Sequence, residues 1–119
     1  QGLHHDLGAA FDRVNAAYFG GTMGRPHISW NRARTHRKLA HYEESGDRIV
    51  VSITLDDPSV PEYAIEYVIY HELLHKSLGT RTVKGRRRAH TKAFREAERA
   101  FARYEEARRA ISSLTRNVG

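Results

Sequence analysis

Residues 60–78, reading VPEYAIEYVIYHELLHKSL, constrain this chain more than any other stretch. Ala64, Ile65, Tyr67, Val68, Ile69, Tyr70, Leu73, Leu74 and Leu78 would spread around most of the circumference of a helix. A helix that is apolar nearly all round is enclosed by protein. The flanks supply its ends. Ser59 with Glu62 three residues on forms a capping box, Pro61 suits the first turn, and Gly79 is expected to stop the helix in the left-handed conformation. Into this buried segment the sequence places His71, Glu72 and His75. Leaving such groups buried and unpaired costs about 1–3 kcal/mol apiece, so each of them requires a partner.

The spacing says what that partner is. Helical residues four apart share a face, with Cβ atoms about 5–6 Å from each other. His71 and His75 can therefore aim ring nitrogens at one tetrahedral Zn²⁺, where Zn–N is about 2.0–2.1 Å. Glu72 follows the first of them, placed to take a proton from a water that such an ion activates. H-E-x-x-H carries this chemistry. A catalytic zinc takes three protein ligands and keeps a fourth position open, so one zinc ion with one further ligand is expected. The candidates are His90, Glu96 and Glu98. His90 lies fifteen residues past His75 at the predicted start of another helix. A chain that leaves at Gly79 and returns antiparallel would bring it near. His4, His5, His27, His36 and His41 lack comparable placement and read as surface histidines.

Around this helix the sequence predicts an α+β fold in a single domain over residues 1–119. Residues 3–19 carry an amphipathic stripe (Leu3, Leu7, Ala10, Phe11, Val14, Ala17, Tyr18) that ends at Gly20-Gly21. A short strand is expected at 27–30, and a second at 39–43. A third, β-branched, is expected at 48–55, the last two forming an antiparallel hairpin about Ser45-Gly46-Asp47. Residues 80–89 read as a charged loop. From His90 a long helix is predicted, with Ala93, Phe94, Ala97, Phe101, Tyr104 and Ile111 on its apolar stripe. The sheet would thus have three strands, with the C-terminal helix closing the site through His90.

No run approaches 18 apolar residues, so no membrane span is expected. The absence of cysteine excludes disulfides, thiolate zinc sites and a cysteine nucleophile, and it fits the reducing cytoplasm. Charge is unevenly distributed. Residues 1–75 carry seven Lys/Arg against ten Asp/Glu, a net of −3, whereas residues 76–119 carry thirteen against four, a net of +9. Such asymmetry points to an anionic partner, with DNA and single-stranded DNA foremost. Candidate nucleic-acid-binding residues are Arg32, Arg34, Arg37 and Lys38 after Trp30, a stacking platform, and Arg81, Lys84, Arg86, Arg87 and Arg88.

The sequence resembles the SprT-like zinc metallopeptidases, which include the Spartan-type DNA–protein crosslink proteases. The matching residues are Asn15-Ala-Ala-Tyr-Phe-Gly-Gly21, Ile28-Ser-Trp30, His71-Glu-Leu-Leu-His75 and His90-x-x-x-Phe94, in the family's order across roughly residues 7–101. Thr91 stands where members of the family often have Gly. The resemblance implies a zincin-like minimal peptidase core, with His71, His75 and His90 as ligands and Glu72 as general base. It also implies a protein or peptide substrate paired with an edge strand near the metal helix, either 39–43 or 48–55. The expected function is a zinc-dependent endopeptidase, acting on DNA-associated proteins in the crosslink-repair reading. Two other readings remain: a basic nucleic-acid-binding module with a structural zinc, and a zinc hydrolase whose substrate is not protein.

Overall fold

A computed structural model describes residues 4–32, 38–79, 81–83, 86–88 and 90–114, with 81–83 and 86–88 as backbone only. Helix α1 spans Leu7–Tyr18 and begins later than the apolar stripe suggests, because Asp6 caps it by accepting from the Ala9 N–H at 3.0 Å. Leu3 lies outside the described residues. Leu7, Ala10, Phe11 and Val14 are buried, but Ala17 is exposed. The Asn15 motif turns out to be a clamp. Its Oδ1 accepts from Met23 N–H, its Nδ2 donates to the Met23 carbonyl, and its own carbonyl accepts from Phe19 and Gly21 N–H. Gly20 and Gly21, with φ of 62° and 73°, supply the left-handed backbone this tight return demands.

That loop delivers β1 (His27–Asn31) to a three-stranded sheet with β2 (Ala40–Glu43) and β3 (Arg48–Ser52). The order is β1-β3-β2. The expected hairpin is present, β2 and β3 pairing antiparallel with His41 opposite Val50. β1 runs parallel to β3, with Ser29 opposite Val50. β3 is shorter than the β-branched run because Ser52 Oγ accepts from Thr54 N–H and turns residues Ile53–Leu55 into a short 3₁₀ helix. As the central strand, β3 has both edges occupied. The expectation that residues 48–55 could accept a substrate strand is corrected: β2 and β1 are the edges.

Helix α2 (Glu62–Leu78) is buried along most of its length, as its composition predicts. Its start differs from the expected capping box. Pro61 occupies the N-cap position without a side-chain bond, because Ser59 is consumed by Asp57, whose Oδ1 accepts from both its N–H and its hydroxyl. Glu62 meanwhile takes Arg13 and lies 3.2 Å from His5 Nδ1. His5 is therefore no surface histidine. It is buried, with Nε2 3.1 Å from the Asp57 carbonyl oxygen, and it fastens the chain before α1 to the start of α2. Gly79 ends α2 at φ 70°, but with an extended ψ of −167° rather than the left-handed helical value.

Two further corrections follow α2. The expected charged loop contains a hairpin, β4 (Arg81–Val83) with β5 (Arg86–Arg88), in which Arg81 is opposite Arg88. The expected long C-terminal helix is two helices, α3 (Lys92–Arg99) and α4 (Tyr104–Ser112). Between them Phe101 turns into the core beside Tyr18, Tyr67 and Tyr70, with ring centroids 5.3–5.4 Å away. The Tyr18 hydroxyl accepts the Ala102 N–H at 2.9 Å, satisfying one donor the break exposes. Among the described residues, no helix is long and apolar enough to cross a membrane.

Candidate metal centre

His71 and His75 project from one face of α2, and His90 reaches them from two residues before α3. One nitrogen from each lies within 4.8 Å of the other two. The ring centroids form a nearly equilateral triangle, 5.0, 5.0 and 5.3 Å on a side. Phe94 is the floor. Its buried ring lies 4.6–5.1 Å from all three imidazoles. Thr91, capping α3 through its hydroxyl and the Phe94 N–H, orients that floor.

The donor set fits a tetrahedral cation. Two nitrogens each about 2.0–2.1 Å from an ion, at the tetrahedral angle, are about 3.3 Å apart. His75 Nε2 and His90 Nε2 are separated by 3.2 Å. Exposure rises in steps, His71 being buried, His75 half-buried and His90 exposed, so the cluster opens to solvent on one side.

Glu72 is fully enclosed at 0% exposure, and among the described residues neither carboxylate oxygen has a hydrogen-bond partner. Burial lifts its pKa to about 7, with positive charge on His71 and Lys38 opposing the rise and Glu98 adding to it. A carboxyl poised there can accept and return a proton near neutral pH.

Glu98, on α3, accepts from His71 Nδ1–H at 2.6 Å and from the Tyr67 hydroxyl at 2.8 Å. Desolvation pushes its pKa up, but the bonds from His71 and Tyr67 and the charges of His71 and His90 outweigh that and leave it lowered. Tyr67 is correspondingly raised, by burial first and then by Glu98. The sequence alone offers Glu98 only as a direct ligand and Tyr67 only as one of the apolar positions of α2. The available signal was Tyr67 one helical turn before His71, with Glu98 one turn after Phe94. Glu96, the other carboxylate candidate, is exposed on α3 and stands outside the histidine cluster.

Of the candidate nucleic-acid residues, Trp30, Arg32 and Lys38 have described side chains. Trp30 and Arg32 line a groove of about 360 Å³ along β1 with Arg25 and His27, at the sheet edge opposite β2. Trp30 is half-buried and packs against the core. Lys38 is exposed two residues before β2, and its charge reaches Glu72. Arg34, Arg37 and Lys84 lie outside the described residues, and Arg81, Arg86, Arg87 and Arg88 are described as backbone.

The pattern of the SprT-like family matches residues 7–112 of this sequence. The chain belongs to the SprT-like family. A comparison with curated protein sequences found no match. Solved structures do share the fold of this SprT-like chain. One is the metallopeptidase zymogen abylysin of Pyrococcus abyssi, 20% identical with a TM-score of 0.67 over 96% of this chain and 100% of that one. Another is the metallopeptidase zymogen jannalysin of Methanocaldococcus jannaschii, 13% identical with a TM-score of 0.65 over 95% and 90% of the two chains. The α+β arrangement of the SprT-like chain is thus that of minimal metallopeptidases.

Proposed function

We propose that this chain is a zinc-dependent endopeptidase, a single domain in which His71, His75 and His90 hold one Zn²⁺ and Glu72 is the general base. The observation that carries the reading is the 3.2 Å separation of His75 Nε2 and His90 Nε2 within a three-imidazole cluster beside an enclosed carboxylate. A bound Zn²⁺ would supply Lewis acidity, lowering the pKa of a water from about 15.7 toward 7 and drawing charge from a peptide carbonyl. Glu72 accepts the proton of the attacking water on a carboxylate oxygen and passes it to the departing amine nitrogen. Phe94 keeps the floor dry. The solvent-open side at His90 favours a catalytic over a closed structural site.

Substrate binding follows from the sheet. The Leu39 carbonyl accepts from Ser52 N–H across the β2–β3 pair. Antiparallel partners alternate between bonded and non-bonded positions, so Ala40 and Tyr42 direct their peptide groups away from β3. An extended substrate adds to that edge, beside α2.

The test is zinc content and hydrolysis of an unfolded protein by the native chain and by Glu72→Gln. We expect one zinc per chain in both and turnover only in the first. Native-rate hydrolysis by Glu72→Gln overturns the role of Glu72, and failure of the native chain to bind zinc overturns the whole reading.

A second reading concerns the partner. The +9 net charge of residues 76–119 and the pairing of Arg81 with Arg88, two like-charged residues at opposed positions, favour an anionic ligand on β4–β5. We propose single-stranded DNA, which would place DNA-associated proteins at the site.

A further inference from the structure

Resting on the reading that His71 binds zinc, we infer that Glu98 and Tyr67 are positioning residues that fix the tautomer and orientation of His71. A single carboxylate oxygen, Glu98 Oε2, accepts both the His71 Nδ1–H at 2.6 Å and the Tyr67 hydroxyl at 2.8 Å. Tyr67 and His71 are one turn apart on α2, so the Glu98 carboxylate, reaching across from α3, bridges two successive turns of the metal helix.

An imidazole that donates through Nδ1 to an acceptor keeps its Nε2 lone pair for an ion, and a carboxylate acceptor also makes that nitrogen a stronger donor to the metal. His71 is the most enclosed of the three histidines, so solvent is least able to orient it. Glu98 is itself held. Its side chain is 16% exposed, and Tyr67, which anchors it, packs its ring 5.4 Å from Phe101 and 6.0 Å from Tyr104. The break between α3 and α4 serves this arrangement by turning Phe101 and Tyr104 onto Tyr67. Among the described residues, the cluster of ligating atoms comprises His71, His75 and His90 and does not include Glu98. The geometry assigns it one step behind the ion instead.

The experiment compares native protein with Glu98→Gln, Tyr67→Phe, their combination and His90→Ala. It measures zinc Kd by competition with a chromophoric chelator, the melting temperature of the zinc-free protein, and the His71 tautomer by nitrogen NMR of the zinc-loaded native chain. We expect Glu98→Gln to weaken zinc binding about 10–100-fold and Tyr67→Phe to weaken it less, with the combination no worse than Glu98→Gln alone. The zinc-free melting temperatures should stay close to native, and His71 should carry its proton on Nδ1. Lowered melting with unchanged zinc Kd would make both residues merely structural and overturn the inference. A loss in Glu98→Gln as deep as in His90→Ala, with Tyr67→Phe inert, would make Glu98 a ligand and also overturn it. Absence of zinc binding by the native chain overturns the metal reading beneath it.

Discussion

Asp47 holds the Lys76 ammonium between its two carboxylate oxygens, at 2.6 and 2.7 Å. The same Oδ1 accepts the Tyr42 hydroxyl at 2.7 Å. One side chain thus ties edge strand β2 and its turn to the last turn of α2, one residue beyond His75.

This link makes stability depend on acid pH. Bonds from Lys76 and then Tyr42 hold the Asp47 pKa below its ordinary value. A carboxyl lowered on folding stabilises above its unfolded pKa, near 3.9, and loses that contribution as pH falls through the folded value. The Asp47 side chain is 45% exposed, so water limits the effect to about 0.2–1 kcal/mol. Asp47→Asn is the clean substitution, because φ is 46° there and Asn tolerates the left-handed region. Its melting temperature should fall slightly below native at pH 7 and converge with native near pH 2. An equal deficit at both pH values would locate the effect elsewhere.

Phe94→Ala should cost about 3–5 kcal/mol of stability, the range for emptying a fully buried ring. Because that ring underlies His71, His75 and His90, zinc affinity should drop as well, and Phe94→Leu should restore part of both. Urea unfolding and chelator competition measure the two effects separately. Full zinc affinity in a destabilised Phe94→Ala protein would deny Phe94 its role as floor.

The third ligand is separable by mutation. His90→Ala should leave zinc-free stability nearly unchanged, since the residue is exposed, while zinc retention collapses. Glu96→Ala should bind zinc as the native chain does. Metal analysis after dialysis reads both, and the reverse pattern would move the ligand to the glutamate.

Single-stranded DNA should bind with a strong salt dependence, log K falling by about 0.7 per log unit of salt for each phosphate contacted. Arg86→Ala and Arg87→Ala should each flatten that slope. No gel shift at low ionic strength would remove DNA as a partner.

Part of this architecture was legible in the sequence because the determining residues are neighbours. H-E-x-x-H and its apolar surroundings belong to one helix, and the β2–β3 hairpin spans thirteen residues, from Ala40 to Ser52. What escaped was decided at long range. Ala97, Phe101 and Tyr104 continue the stripe begun at Phe94, so periodicity cannot register a break that is satisfied by the hydroxyl of Tyr18, 84 residues away. His5 reads as a surface residue until Glu62 and Asp57 close over it. Glu98 was visible as an acid near the site, but only the folded contact reveals that it faces Nδ1 of His71.

The three imidazoles do not travel together. Two ride on one helix, whereas the third enters two residues after the β4–β5 hairpin, on the side open to water. Any partner that grips this arginine-rich ribbon would therefore pull on a single leg of the tripod. The hold of the proposed site on a zinc ion would then answer to a ribbon that is no part of helix α2.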